Sequence, residues 1–236
     1  MLSNLLSNEL FLTVILAFYA FGVILLTRKV YDYGVRKHVK KSVIVYYNRK
    51  LIHIFAGGVV VLAVPFAFDS PFYPLLAGVL LTFLMLAFHY SGRILYWFQT
   101  DDNVSDVSFC LMWGVAIFVL WTIFGNPWIA VIPPAFIAFG DGITGIVRNF
   151  GFKERSKHPV GNIYMACVCI PIGFYFGGLA TKANPSLEGM AVWGIIAAVA
   201  ASIFERYEFG PIDDNILITI GATLILFIGA HVGPIL

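Results

Sequence analysis

The chain of 236 residues is 60% hydrophobic and 12% charged, about half the charged share of an ordinary soluble domain, roughly 25%. Its formal net charge is +2, and its aromatic residues are scattered through apolar stretches. That leaves no basic footprint for a nucleic acid. About eight spans of about 20 residues would consume about 200 residues, so the composition predicts an all-α, polytopic integral membrane helix bundle. It forms a single transmembrane domain over 1–236, with no room for a sizeable soluble domain.

In chain order, apolar runs near 10–27, 51–68, 72–90, 107–124, 128–147, 163–180, 187–204 and 216–233 predict about eight transmembrane helices. The first run has Glu9 before it and Arg28 and Lys29 after it, the reverse of the basic start of a secretory signal. It is expected to stay as an anchor, with 1–47 forming this helix and a basic loop and 48–220 the catalytic core. The seventh run is interrupted by Gly189 and Gly194. Cys110, Cys167 and Cys169 all lie in predicted spans, too few for a disulfide framework and without the further ligands of a zinc site. No internal repeat, low-complexity tract or transit segment is present.

Charge placement orients the bundle, because basic residues in short loops stay cytoplasmic. Arg28, Lys29, Arg36, Lys37, Lys40, Lys41, Arg49 and Lys50 fall in the first loop, 28–50. Arg93, Arg148, Lys153, Arg155, Lys157 and Arg206 fall in the later loops on the same side, which makes 14 of the 15 lysines and arginines. That side also holds 10 of the 13 acids, which a positive-inside bias does not predict. The opposite connections are bare turns such as Asp69-Ser70-Pro71 and Gly125-Asn126-Pro127. Polar chemistry is thus expected on the cytoplasmic face, with both termini on the other. A transporter commonly keeps polar groups at the bilayer midplane. A one-sided polar face instead suits an enzyme that meets a water-soluble substrate at the surface and a lipid from the side.

Three clusters carry candidate chemistry. In Asn48-Arg49-Lys50-Leu51-Ile52-His53, Arg49, His53 and Gly57 share one helix face. Snorkelling accounts for Arg49 and Lys50 as interfacial cations, whereas an ionisable His53 inside a span points to function. In the second cluster, Asp141, Thr144, Gly145 and Arg148 make a small-and-polar stripe at i, i+3, i+4 and i+7. Gly140, Gly142 and Gly145 are expected to let backbone or ligand approach. Lys153, Arg155, Lys157 and His158 follow, then Gly161-Asn162 at the head of the next helix, where free backbone N–H groups favour an anion. An acid for Mg²⁺, cations for phosphate oxygens and glycine clearance are the parts phosphoryl transfer needs. The third cluster, Glu205 to Asn215, ends in Asp213-Asp214-Asn215. Any of these three can cap the last helix, or the adjacent carboxylates Asp213 and Asp214 can join Asp141 in holding one divalent cation. Asp101, Asp102 and Asp106 read as a solvated loop. Asn103-Val104-Ser105 fits a glycosylation acceptor, which a cytoplasmic position excludes. No Walker A or kinase glycine-rich signature occurs.

Three stretches, "NRKLIHIFAGG" at 48–58, "GDGITGIVRNFGF" through "KHPVGNIYMA" at 140–166 and "ERYEFGPIDDNILI" at 205–218, together resemble the CTP-dependent polyprenol kinase family, the membrane enzymes that include dolichol kinase and phytol kinase. The resemblance implies that CTP gives its γ-phosphate to the terminal hydroxyl of an isoprenoid alcohol, with Mg²⁺ as cofactor. It implies catalytic roles for Asp141, His53, Arg148 and Lys157. Nucleotide contacts fall to Arg49, Lys50, Gly140, Gly142, Lys153, His158, Gly161 and Asn162. The metal ligands are Asp141, Asp213, Asp214 and Asn215. Partners are the alcohol and other lipids of the bilayer and a nucleoside triphosphate, with oligomeric state left open. The chain departs from the common family pattern at Lys157-His158-Pro159-Val160-Gly161, at Gly145 and at Val147, and its "GDG" and "GNIYMA" pieces look closer to the phytol kinase branch.

Two other enzyme classes and a non-enzyme compete with this reading. A CDP-alcohol transferase needs Ala-Arg and two further aspartates soon after its Asp-Gly, and here Gly145-Ile146 stand in those positions and the next aspartate is Asp213. A cytidylyltransferase making a CDP-lipid differs from a kinase only in its products. A small transporter or structural membrane protein would use the same acids merely to cap helices.

Overall fold

A computed structural model describes residues 2–152 and 157–235. Lys153 and Arg155 lie outside the described residues. The described chain is all helical apart from short connections and two isolated bridges, Thr100–Asn103 and Phe209–Ile212. Seven helical stretches are long and apolar enough to cross a membrane, and the shorter Met190–Phe204 supplies the eighth antiparallel element. The protein is a polytopic membrane helix bundle. Large apolar side chains such as Phe18, Phe66 and Phe83 point outward, as they must where lipid rather than water surrounds the bundle.

The first two helices run past the apolar segments that mark them. α1 (Leu2–Arg36) and α2 (Lys41–Ile52) leave only residues 37–40 as a loop, where a loop over 28–50 was expected. Hydropathy marks only the lipid-immersed turns, whereas the backbone hydrogen bonds of a helix continue into the polar boundary. A left-handed His38 (φ 56°) makes the reversal. α3 (Val59–Ala67) and α4 (Phe72–Tyr90) follow, and the turn between them is held by Glu9 of α1. Its carboxylate accepts from the backbone N–H groups of Asp69 (2.7 Å) and Ser70 (3.1 Å). α5 (Ser105–Phe124) stops at Gly125, whose φ of 60° suits a residue without a Cβ. Asn126 then caps the next helix, with Pro127 at its first position.

The fifth crossing lies at the centre of the bundle. It consists of α6 (Pro127–Ala130), α7 (Ile132–Ala135), a π segment (Phe136–Asp141) and α8 (Gly142–Phe152). Every residue from Ile129 to Ala138 is buried. α9 (Val160–Ala183), α10 (Met190–Phe204) and α11 (Asp214–Val232) complete the ring. Small residues let neighbouring helices touch: a Cβ on Gly173 of α9 would lie 2.2 Å from the carbonyl oxygen of Gly194 in α10, and one on Gly78 of α4 would lie 2.9 Å from Cα of Gly114 in α5.

A second π segment, His53–Gly58, joins α2 to α3 and packs against the first. Widened turns of this kind re-aim side chains and are frequent at functional sites. They also disturb the regular pairing of carbonyls, and here two of these accept from other helices: Tyr19 Oη donates to Phe55 O (2.8 Å) and Trp113 Nε1 to Gly57 O (3.2 Å). His53 opens one π segment and Asp141 closes the other.

Candidate functional site

The two π segments bring the first and second clusters together. Lys50 Nζ donates to both oxygens of Asp141 at 2.6 Å, and His53 Nδ1 stands 3.2 Å from Asp141 Oδ2. The His53 ring stacks on Phe109 of α5 at a centroid distance of 3.9 Å. All three polar side chains are buried, so each charge depends on its partner. Snorkelling therefore does not describe Lys50, which turns inward. Arg49, one position earlier, turns instead to α5 and donates to Ser105 Oγ (2.8 Å) and Asn103 Oδ1 (3.2 Å).

The third cluster closes the opposite wall. Lys157 Nζ donates to Asp214 Oδ2 (2.7 Å) and to Glu205 O (2.8 Å), and lies 3.1 Å from Glu208. Burial acts to lower the pKa of Lys157, but the charges of Asp214 and Glu205 outweigh it and raise the value above the ordinary lysine range. Burial raises the Glu205 carboxyl, with the Arg148 hydrogen bond opposing. Asp213 caps α11 by accepting from Ile216 N (3.2 Å) and also accepts from Ser108 Oγ. Its pKa is pushed up to about 6, first by burial and then by the neighbouring Asp214 charge, against the Ser108 hydrogen bond.

Between these walls lies a small polar cavity of about 20 Å³ at the face carrying the basic residues. Of the residues singled out in the sequence, Arg49, Lys50, His53, Asp141, Lys157, Asp213, Asp214 and Asn215 line it. Tyr46, Asn103, Ser105 and Glu208 line it as well. Asn103 and Ser105 carried a visible signal, the Asn-x-Ser triplet, whose polar pair serves here as acceptors for Arg49. Asp141, Glu205 and Asp214 each place one carboxylate oxygen within 4.8 Å of the others. Hard oxygen donors at this spacing suit a small divalent cation.

Several expected assignments change. Arg148 is fully buried and does not line the cavity. Its guanidinium makes a bidentate pair with Glu205 (2.5 and 2.9 Å) and donates to His158 O (3.0 Å) and Asn162 Oδ1 (3.2 Å). It staples α8 to the start of α9 and the end of α10, and its donors are turned away from any phosphate. The His158 side chain accepts from Val160 N at 3.2 Å at the surface, and Asn162 bridges Arg148, Glu205 and Ser202. The glycines make room for side chains of the chain itself rather than for a ligand. A Cβ on Gly140 would meet Cys169 Sγ at 2.4 Å, one on Gly142 would meet Ile54, one on Gly145 the Lys50 stem, and one on Gly161 the Arg148 guanidinium. Of the expected metal set, Asp213 is committed to Ser108 and to the helix cap, and the carboxylate that approaches Asp141 and Asp214 is instead that of Glu205, which Arg148 and Asn162 also engage. Asp106 is buried, accepting from Gln99 Nε2 (2.6 Å) and lying 3.1 Å from His89 Nε2, because α5 begins one residue earlier and carries it inward. Asp101 and Asp102 are exposed loop residues.

Comparison of the chain with family models, curated proteins and solved structures found no match.

Proposed function

We propose that this protein is a membrane phosphotransferase of the polyprenol kinase type, moving the γ-phosphate of CTP to the hydroxyl of an isoprenoid alcohol at the cytoplasmic boundary. The observation that carries this reading is the cavity itself. Carboxylates from three separate helical segments and the ammonium groups of Lys50 and Lys157 meet at one face of an otherwise apolar bundle. Ionisable groups gathered in an apolar bundle are costly to bury even when paired, which marks the cluster as a functional site. The three matched motifs supply its walls.

In this reading Asp141, Asp214 and Glu205 hold Mg²⁺, which would neutralise charge between phosphate oxygens. Lys50 and Lys157 face the phosphates, and Arg49, steadied by Asn103 and Ser105, borders the nucleotide at the cavity rim. His53, stacked on the Phe109 ring and beside Asp141, would accept the proton of the alcohol. The rest of the catalysis is positioning and charge stabilisation, which phosphoryl transfer chiefly requires.

The test is to incubate purified protein with labelled CTP, Mg²⁺ and, separately, phytol, geranylgeraniol and dolichol. CDP and a lipid phosphate are the expected products, and Asp141→Asn abolishes them. Pyrophosphate and a CDP-lipid would identify a cytidylyltransferase instead. No nucleotide turnover with any alcohol would overturn both enzyme readings and leave a transporter or structural protein.

A further inference from the structure

Around the cavity, carboxylates and ammonium groups alternate. Lys50 Nζ lies 2.6 Å from both oxygens of Asp141, while Lys157 Nζ lies 2.7 Å from Asp214 and 3.5 Å from Glu205. Those same three carboxylates approach one another within 4.8 Å. A divalent cation and the two ammonium groups therefore compete for one set of oxygens. A separate observation points to a ligand there. Asn215 lines the cavity, is 1% exposed, and has an Oδ1 with no hydrogen-bond partner. A neutral carbonyl oxygen of this kind is a usual ligand of a hard cation.

We propose that Lys50 and Lys157 are resident counter-ions, displaced from Asp141 and Asp214 when a divalent cation binds, and that the freed ammonium groups then take the phosphates arriving with that cation. Five carboxylates (Asp141, Glu205, Glu208, Asp213 and Asp214) face four cationic side chains (Arg49, Lys50, Arg148 and Lys157) at and behind the cavity wall, so a divalent cation entering alone turns a near balance into an excess of positive charge. A polyphosphate entering with it removes that excess. The cation alone binds weakly, and cation and polyphosphate bind together. The Lys50 stem lies directly against Gly145, where a Cβ would come within 2.4 Å of Lys50 Cγ, so the absence of a side chain there is what lets the stem reach Asp141. The identity of the anion as a polyphosphate rests on the phosphotransferase reading, whereas the displacement of the lysines does not.

The experiment measures Mn²⁺ binding to the purified full chain in detergent micelles by electron paramagnetic resonance, without nucleotide or alcohol. Lys50→Met and Lys157→Met each tighten Mn²⁺ binding by about ten-fold or more, since each removes a unit charge within a few ångströms of the ion. Lys50→Arg and Lys157→Arg leave it as weak as in the wild type. Lys157 is less buried than Lys50, so its variant decides the matter if Lys50→Met does not fold. Inorganic tripolyphosphate, titrated at saturating Mn²⁺, binds the wild type at least about ten-fold more tightly than either Met variant, each of which lacks one phosphate-facing charge. Equal Mn²⁺ affinities in wild type and Met variants overturn the displacement, and equal tripolyphosphate affinities overturn the transfer of the lysines to phosphate. Absence of nucleotide turnover would sink the kinase reading alone, so the two failures are separable.

Discussion

Arg148 and Asp213 show how one side chain can look like part of a phosphate or metal site in sequence and act chiefly as architecture in the fold. The Arg148–Glu205 pair is desolvated on both sides, with side-chain exposures of 0% and 1%. Removing one member of such a pair strands a charge and costs about 3–5 kcal/mol, whereas replacing both by apolar groups is often neutral. Arg148→Met therefore lowers the unfolding temperature sharply, and Arg148→Met with Glu205→Leu recovers most of the loss, as thermal unfolding in detergent would measure. Equal destabilisation by the single and double variants would remove the staple role. Asp213 has a pH signature. Its carboxyl is held at about 6 in the folded protein, above the ordinary aspartate value, so the folded state binds this proton more tightly than the unfolded chain does. The associated stability is fully present below the ordinary aspartate pKa and is lost as pH rises through about 6. Between about pH 5 and about pH 7.5 the wild type loses stability relative to Asp213→Asn, measured as the difference in their unfolding temperatures. A difference that does not change with pH would mean that Asp213 is not protonated more readily in the fold.

Among the elements, the glycines divide into two kinds that substitution separates. Gly173 faces backbone, and a Cβ there would lie 2.2 Å from Gly194 O. Gly173→Ala must push α9 and α10 apart, at a cost of about 1–3 kcal/mol, far from the cavity and without changing its chemistry. Gly145 faces the stem of Lys50. That stem can shift, but its ammonium is anchored on Asp141, so Gly145→Ala should lose the proposed phosphoryl transfer out of proportion to any loss of stability. Activity and unfolding temperature measured on both variants test the contrast. How far the sequence reveals these elements follows from what each depends on. The stripe Asp141, Thr144, Arg148 was legible because a helical period alone brings those residues to one face. Lys50 was harder to place, because the π segment beginning at His53 forms only where two helices pack, and no local pattern marks it. Asn103 and Ser105 were missed as cavity residues for a related reason: short polar side chains near a helix start make local caps far more often than they reach another helix. The glycines stood out in the sequence, but glycine clearance looks the same whether a ligand or a lysine stem fills it.

At the scale of the molecule, the alternation of faces was legible from charge alone, and the fold preserves it although the loop at 28–50 shrank to residues 37–40. Arg49, Lys157, Glu205 and Asp214 meet at one end of the bundle. At the other, Glu9 ties the turn at Asp69, and Trp193 Nε1 donates to Gly233 O (2.9 Å), holding the C-terminal end near the start of α10. Eight antiparallel helical stretches put both described ends of the chain on the face opposite the cavity, and the concentration of lysine and arginine predicts a cytoplasmic cavity face. Single cysteines introduced at Lys37, Ser91 and Arg206, all exposed on the cavity face, in a chain whose own three cysteines are replaced, should react with a membrane-impermeant maleimide only after the membrane is opened. Cysteines at Asp69 and Ser186 should react in intact cells. Short basic connections resist translocation, and here nearly every such residue lies on one side, so a reversed pattern would require the bundle to insert against its own charge. Reaction of Arg206→Cys together with Ser186→Cys from the same side would mean that α10, shorter than each of the seven other crossing stretches, fails to cross, which would separate Glu205 from Lys157 and Asp214 and dismantle the cavity.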